Sequence, residues 1–283
     1  MQKIVFVTGK GGVGKSVYAA ALAHKYSLAG KRTLLVELGD ESFFKTFFQL
    51  PQVQYAPTKT RSSWEVALWA GTDALKEYAL HLLKSEAVYR LFFENKVSRA
   101  LIHIAPGLPE LAILGKATSG PRHHGPSSPH DVIVVDAFAT GHFLALIRAP
   151  KGMAQAISFG PMGEQSRSIM KTVMDPNICD YHIVTLAEEL PIKETIELYD
   201  QLKSEFNISA HVVLNKTLNT ALKSDEVVPK NNEFVKYVKN TLAREEGAHD
   251  RLREKNLSPF EIPHIYNKSS YELVEDIAAE IKL

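Results

Sequence analysis

The stretch Gly9–Ser16, GKGGVGKS, constrains this chain more than any other. It fits the pattern G-x-x-x-x-G-K-[ST], and its flanks are the ones that pattern needs. Before it, Ile4–Thr8 is an unbroken β-favouring run, read as a strand buried on both faces. After it, Ser16–Ala29 carries Ala19, Ala20, Ala21, Leu22 and Ala23, a helix stopped by Gly30. Thr33–Leu38 is the next buried strand. Strand, helix, strand in so few residues is a βαβ unit, and it implies a parallel sheet.

The chemistry of such a loop follows from its residues. Glycines let successive backbone N–H groups turn inward around phosphate oxygens. The helix that starts there points its positive end at the same anion. Lys15 brings a charge to the β and γ phosphates, and the Ser16 hydroxyl suits a Mg²⁺ position. The expected cofactors are ATP or ADP with Mg²⁺. The expected nucleotide contacts are Gly9, Lys10, Gly11, Gly12, Val13, Gly14, Lys15, Ser16 and Val17.

Composition sets the frame. The 283 residues carry 33 Lys plus Arg against 32 Asp plus Glu, a formal net charge of +1. That balance argues against a general nucleic-acid or anionic-membrane binder. The single cysteine, Cys179, can make neither an internal disulfide nor a CxxC pair. Val132–Ile147 is the longest mostly apolar stretch, short of the roughly 18 residues a spanning helix needs. The N-terminal apolar run is too short for a signal peptide. The expected setting is cytoplasmic, with peripheral membrane association open.

Further strands are predicted at Trp64–Trp69, Val132–Asp136, Tyr181–Leu186, Ala210–Asn215 and Phe260–Pro263. Helices are predicted at Ile192–Phe206, within Lys230–Lys255, and at Tyr271–Ile281. Apolar residues at helical spacing from Asp73 to Ala100, with Glu110–Thr118, predict a helical insertion over about 73–118. Ser119–His130, SGPRHHGPSSPH, reads as a mobile loop. Its His123, His124 and His130 are read as solvated rather than as metal ligands. The expected fold is α/β: one P-loop NTPase domain over 1–283, with a doubly wound, mainly parallel sheet and that helical insertion.

The second lysine of the loop, Lys10, narrows the class. KGGVGKS resembles the deviant Walker A signature of septum-site ATPases, nitrogenase iron protein, arsenite-pump ATPases and tail-anchored protein targeting ATPases. VIVVDAFATGHFLAL, Val132–Leu146, resembles the switch II segment of the arsenite-pump (ArsA-like) and tail-anchored targeting group. HIVTLAEELPIKETIELYDQL, VVLNK and PGLPELAILGKA extend the likeness over nearly the whole chain. It looks most like the short bacterial members. The resemblance implies a Mg-dependent ATPase working as a nucleotide-gated dimer, with Lys10 reaching the partner's phosphates. Asp136 would hold Mg²⁺ through water, together with Ser16. Asn215 and Pro263 would lie against the adenine, and Gly141 near the γ-phosphate. The partner would be a second copy or a paralogous ATPase, with a membrane protein as the candidate client.

Two departures from the family pattern matter. The segment that usually reads S-T-D-P-A-H reads ELGDES at Glu37–Ser42, so Gly39 stands where the water-orienting Asp belongs. Asp40 falls one residue late and is the favoured replacement, with Glu37 the other carboxylate in reach. No CxxC is present to clip a dimer with zinc or to bind arsenite. A weakly hydrolysing or non-hydrolysing partner subunit of a longer paralogue is therefore the alternative, and a small-molecule kinase a weaker third. Phe43, Phe44, Phe47 and Phe48 form an apolar helix face expected to pack against the helical insertion.

Overall fold

The computed structural model describes residues 2–83, 107–157, 159–218, 233–266 and 268–283. The rest of the predicted insertion, 84–106, lies outside the described residues. In chain order the elements are β1 (Lys3–Gly9), α1 (Lys15–Leu28), β2 (Thr33–Leu38), α2 (Phe43–Phe47), β3 (Thr58–Lys59), β4 (Glu65–Trp69), α3 (Gly71–Leu83), α4 (Leu108–Ala117), α5 (Ser119–Arg122) and β5 (Val132–Asp136). There follow α6 (Thr140–Ala156), α7 (Gly160–Val173), β6 (Cys179–Thr185), α8 (Glu189–Phe206), β7 (His211–Thr217), α9 (Glu233–Glu254), β8 (Phe260–Pro263) and α10 (Ser270–Glu280).

The strands form one sheet in the order β3-β4-β2-β5-β1-β6-β7-β8. All neighbours pair parallel except β3 with β4. The sheet is buried on both faces, which is why its strands read as apolar runs rather than alternating ones. Alternate residues of β1 serve different cores. Ile4 and Phe6 pack with Leu114 of α4, Phe143 of α6 and Leu202 of α8. Val5 and Val7 pack with Ala20 of α1 and Ile277 of α10. Helices thus cover both faces, the doubly wound arrangement. Cys179 lies in the first of these cores, and burial pushes its thiol up to about 12, which keeps it protonated and inert.

Two predicted features take a different form. Phe44 and Phe48 are buried, and among the described residues Phe48 meets the rings of Trp64 and Tyr271 rather than the described parts of the helical insertion. Phe44 and Phe48 stack on each other, while Phe43 stays 44% exposed. The Ser119–His130 segment is tied down at both ends. Ser119 is buried and donates to the carbonyls of Lys116 and Pro126. His130 is buried with its Nε2 2.7 Å from Glu65 Oε2, and its carbonyl accepts from Gln2 Nε2 at 2.7 Å. Among the described residues no three His, Cys, Asp or Glu side chains converge as metal ligands.

At the far edge of β6 and β7, Asp180 gathers a charged cluster. His211 Nε2 lies 3.2 Å from it and Lys3 Nζ 3.2 Å, while His182, 3.9 Å away, also meets the Tyr18 hydroxyl. Lys3 is in turn paired with Tyr26. The bond to Asp180 raises the pKa of His211. A raised folded pKa contributes stability fully below the unfolded value of about 6.5, and that contribution fades as pH rises through the folded value. His182, by contrast, is pulled down by burial and works in the opposite direction. The comparison must therefore isolate His211. Melting curves of wild type and His211→Gln should differ at pH 6 and converge toward pH 9; a gap that widens with pH would refute the pairing.

Candidate nucleotide site

The phosphate loop is shaped by close packing. Gly9 ends β1 at φ 149°, and a Cβ there would lie 2.1 Å from the Val184 carbonyl oxygen. Gly14 stands before α1 at φ 93°, and a Cβ there would lie 2.4 Å from Asn215 Nδ2. No side chain caps α1, so its first N–H groups are left for another acceptor, which is the arrangement an anion site requires. The Thr8 hydroxyl donates to the Phe138 carbonyl at 2.8 Å, and Ala137 N–H to the Val7 carbonyl at 2.8 Å. These bonds tie the loop after β5 to the strand that carries the phosphate loop.

The sheet register places two carboxylates side by side. Asp136 is opposite Val7 on one side and Glu37 on the other, at the carboxyl ends of parallel strands. That edge is where ligands bind in open α/β sheets. Asp136 is 6% exposed and its Oδ1 has no hydrogen-bond partner. Burial pushes its pKa up to about 7, against the opposing pull of the Ser16 hydroxyl and Lys15, with Glu37 adding to the rise. A buried carboxylate oxygen without a donor is costly, and a hydrated cation shared with Ser16 would satisfy it. The residues present therefore fit Mg²⁺.

Glu37 is already engaged. Its Oε2 accepts from the Ser42 hydroxyl at 2.6 Å and its Oε1 from Phe43 N–H at 2.6 Å, so it caps α2. Burial still raises its pKa. Asp40 is exposed, next to a Gly39 at φ 144° whose missing Cβ would face open space. His142 and Gly141 are exposed at the start of α6.

Lys10 makes an ion pair that nothing in its local sequence marks. Its ammonium donates to Glu194 Oε1 of α8 in the same chain. Glu194 Oε2 accepts in turn from the Thr140 hydroxyl at 3.3 Å. The signature lysine and the first residue of α6 are therefore linked through one carboxylate.

Asn215 is 7% exposed, and its Nδ2 donates to the Val13 carbonyl at 2.9 Å, while its Oδ1 accepts from Lys216 N–H at 3.0 Å. It buttresses the phosphate loop from β7. Pro263 ends β8 beside Thr217, followed by His264, whose ring lies 4.0 Å from that of Tyr266. Lys10, Lys15, Ser16, Asp136 and Asn215 thus converge on one edge of the sheet, with Asp40 at its rim.

The sequence model of the anion-transporting ATPase family matches residues 2–159, more than half of the chain. This chain belongs to the anion-transporting ATPase family. The chain has a P-loop α/β fold, and the Gly9–Ser16 loop lies within the matched residues. A relative from Mycobacterium tuberculosis, ATPase BagA, is 29% identical over 80% of this chain and 68% of its own length. A Halobacterium salinarum protein whose name proposes an arsenical pump-driving ATPase is 26% identical over 75% of this chain and 35% of its own. ATPase ASNA1 homolog 1 of Paramecium tetraurelia is 26% identical over 55% of this chain and 46% of its own. No described helix is long and apolar enough to cross a membrane.

Proposed function

We propose that this member of the family binds ATP with Mg²⁺ in the Gly9–Ser16 loop and hydrolyses it as a nucleotide-gated dimer. The observation that carries the reading is the buried, donor-free Oδ1 of Asp136, on the strand next to the one that carries that loop. Bound there, the cation would neutralise charge on the phosphates. The N–H groups of the loop and the start of α1 hold the phosphate oxygens, and Lys15 brings its ammonium to the β and γ phosphates. Asn215 fixes the loop at Val13 and leaves its outer side to the adenine, with Pro263 as the other wall. Lys10 leaves Glu194 and reaches the phosphates of a partner subunit, either a second copy or a paralogue. Because Glu194 also accepts from Thr140, release of Lys10 changes the charge balance at the carboxylate that holds the start of α6, and closure passes to the helices from there. The output is a conformational change exerted on a partner, with a membrane-protein client in keeping with the family.

The attacking water needs a carboxylate to orient it. Glu37 has both oxygens occupied by Ser42 and Phe43, so the role goes to the exposed Asp40. Loss of such a group costs about 10²–10⁴-fold. In single-turnover assays at saturating ATP, Asp40→Asn should slow hydrolysis by about 10²-fold or more, while Glu37→Gln chiefly loosens α2. A wild-type rate in Asp40→Asn with collapse in Glu37→Gln would transfer the role to Glu37. The second reading, a subunit that depends on a paralogue for catalysis, is favoured by Gly39 itself, which offers no side chain. It is supported if neither variant changes the rate and a paralogue raises it.

A further inference from the structure

Helices α3, α4 and α7 enclose a cavity of about 290 Å³, none of whose lining residues belongs to the phosphate loop or to the loop after β5. Leu75, Leu108, Leu111, Ala112 and Ile169 make most of its wall. Its volume is at the lower end for small-molecule pockets, roughly 300 Å³ and upward. Met162 of α7 lies on the wall and is 43% exposed, so part of the apolar wall reaches solvent.

Among the described lining residues, Arg122 is the charged one. Arg122 donates from Nε to Thr118 Oγ1 at 2.9 Å, from Nη1 to Gln165 Oε1 at 2.6 Å, and from Nη2 to the Gly115 carbonyl at 2.8 Å. All three acceptors are neutral. Among the described residues Arg122 has no carboxylate partner, and burial pulls its pKa down. A guanidinium has five N–H donors, so about two remain uncommitted while the three bonds hold the fork in place. A fixed, partly desolvated fork without a counter-ion suits a carboxylate, which can take two parallel hydrogen bonds. The apolar wall beyond it suits the hydrocarbon attached to that carboxylate.

We propose that this cavity binds a single-chain fatty carboxylate, its head on Arg122 and its alkyl chain along α3, α4 and α7. The charge selects the head, and the dry wall selects one unbranched chain rather than a free inorganic anion. The site is independent of the nucleotide loop, so the reading above can fail without it.

The test is titration calorimetry of the full chain with decanoate, decanol and decylammonium, each below its micelle concentration. Decanoate should bind saturably, one per chain, at least tenfold tighter than decanol, with decylammonium weakest. Arg122→Met should bring decanoate and decanol together. Ala112→Phe, which fills the wall, should weaken decanoate at least tenfold while ADP affinity and the melting midpoint hold. If Arg122→Met does not fold, the three-ligand comparison on the wild type still decides. Equal affinity for all three ligands would make this an ordinary apolar cavity, and a lack of saturable decanoate binding would overturn the proposal. So would an apolar helical peptide that displaces decanoate from a longer groove, or undiminished binding in Ala112→Phe.

Discussion

Gly9→Ala is expected to be the most damaging single-methyl change in the molecule. The new Cβ would fall 2.1 Å from the Val184 carbonyl oxygen, a backbone atom in a paired central strand. Neither partner can give way cheaply, because Gly9 and Val184 are register neighbours on β1 and β6. The residue also sits at φ 149°, where an L side chain is strained. Overpacking costs about 1–3 kcal/mol, and backbone strain adds about as much again. Denaturant unfolding should show a loss of at least about 3 kcal/mol, with nucleotide affinity falling in parallel because the loop begins there. Gly11→Ala is the control. A Cβ there meets nothing within 4 Å, so it should fold like the wild type. Equal stability of Gly9→Ala and Gly11→Ala would contradict the packing account.

The second large effect concerns Lys10. A cation supplied across a subunit interface to a phosphoryl group in transit is worth about 10³–10⁵ in rate. Lys10→Ala should therefore lose about 10³-fold in turnover while keeping ATP affinity near that of the wild type, since its own chain's phosphates are held by Lys15 and the loop. Glu194→Gln makes the complementary case. It removes the charge that holds Lys10 in cis, so ATP should drive dimer formation at a lower protein concentration. Light scattering with a non-hydrolysable analogue reads this directly. A monomer at every concentration, for both proteins, would reject gating between two copies and leave a heterodimer as the remaining form. A Lys10→Ala protein that loses ATP affinity instead of rate would place the lysine on its own nucleotide.

Much of this site could be read from the sequence because its parts are local. The phosphate loop needs glycines at fixed offsets between a strand and a helix, and both flanks are continuous in the chain. Strands β2 and β5 begin and end where their mostly apolar runs do, since both are buried along their whole length. Long-range partners were invisible. Glu194 is an ordinary polar residue of an amphipathic helix, and nothing near it marks a lysine 184 positions away. The Gly- and Pro-rich Ser119–His130 segment looks mobile by composition, yet Gln2 and Glu65 anchor its end from distant parts of the chain. Helices α6 and α7 go unpredicted, although α7 is amphipathic at helical spacing. α6 has Pro150 in its interior, which a reading of local propensity takes as a stop. Periodicity finds the apolar pair Phe44 and Phe48, but it cannot say which neighbours cover it, and Trp64 and Tyr271 meet it at Phe48.

The central claim is that Gly9–Ser16 holds ATP with Mg²⁺, and calorimetry on Lys15→Ala tests it most directly. A charge-assisted contact of this kind is worth about 1.5–3 kcal/mol. Among the described residues Lys15 acts on the fold through its charge on Asp136 rather than through a side-chain hydrogen bond or ion pair, so its removal breaks no bond. Lys15→Ala should melt like the wild type and bind ATP with Mg²⁺ at least tenfold more weakly. Unchanged ATP affinity in a folded Lys15→Ala protein would place the nucleotide elsewhere and contradict the account.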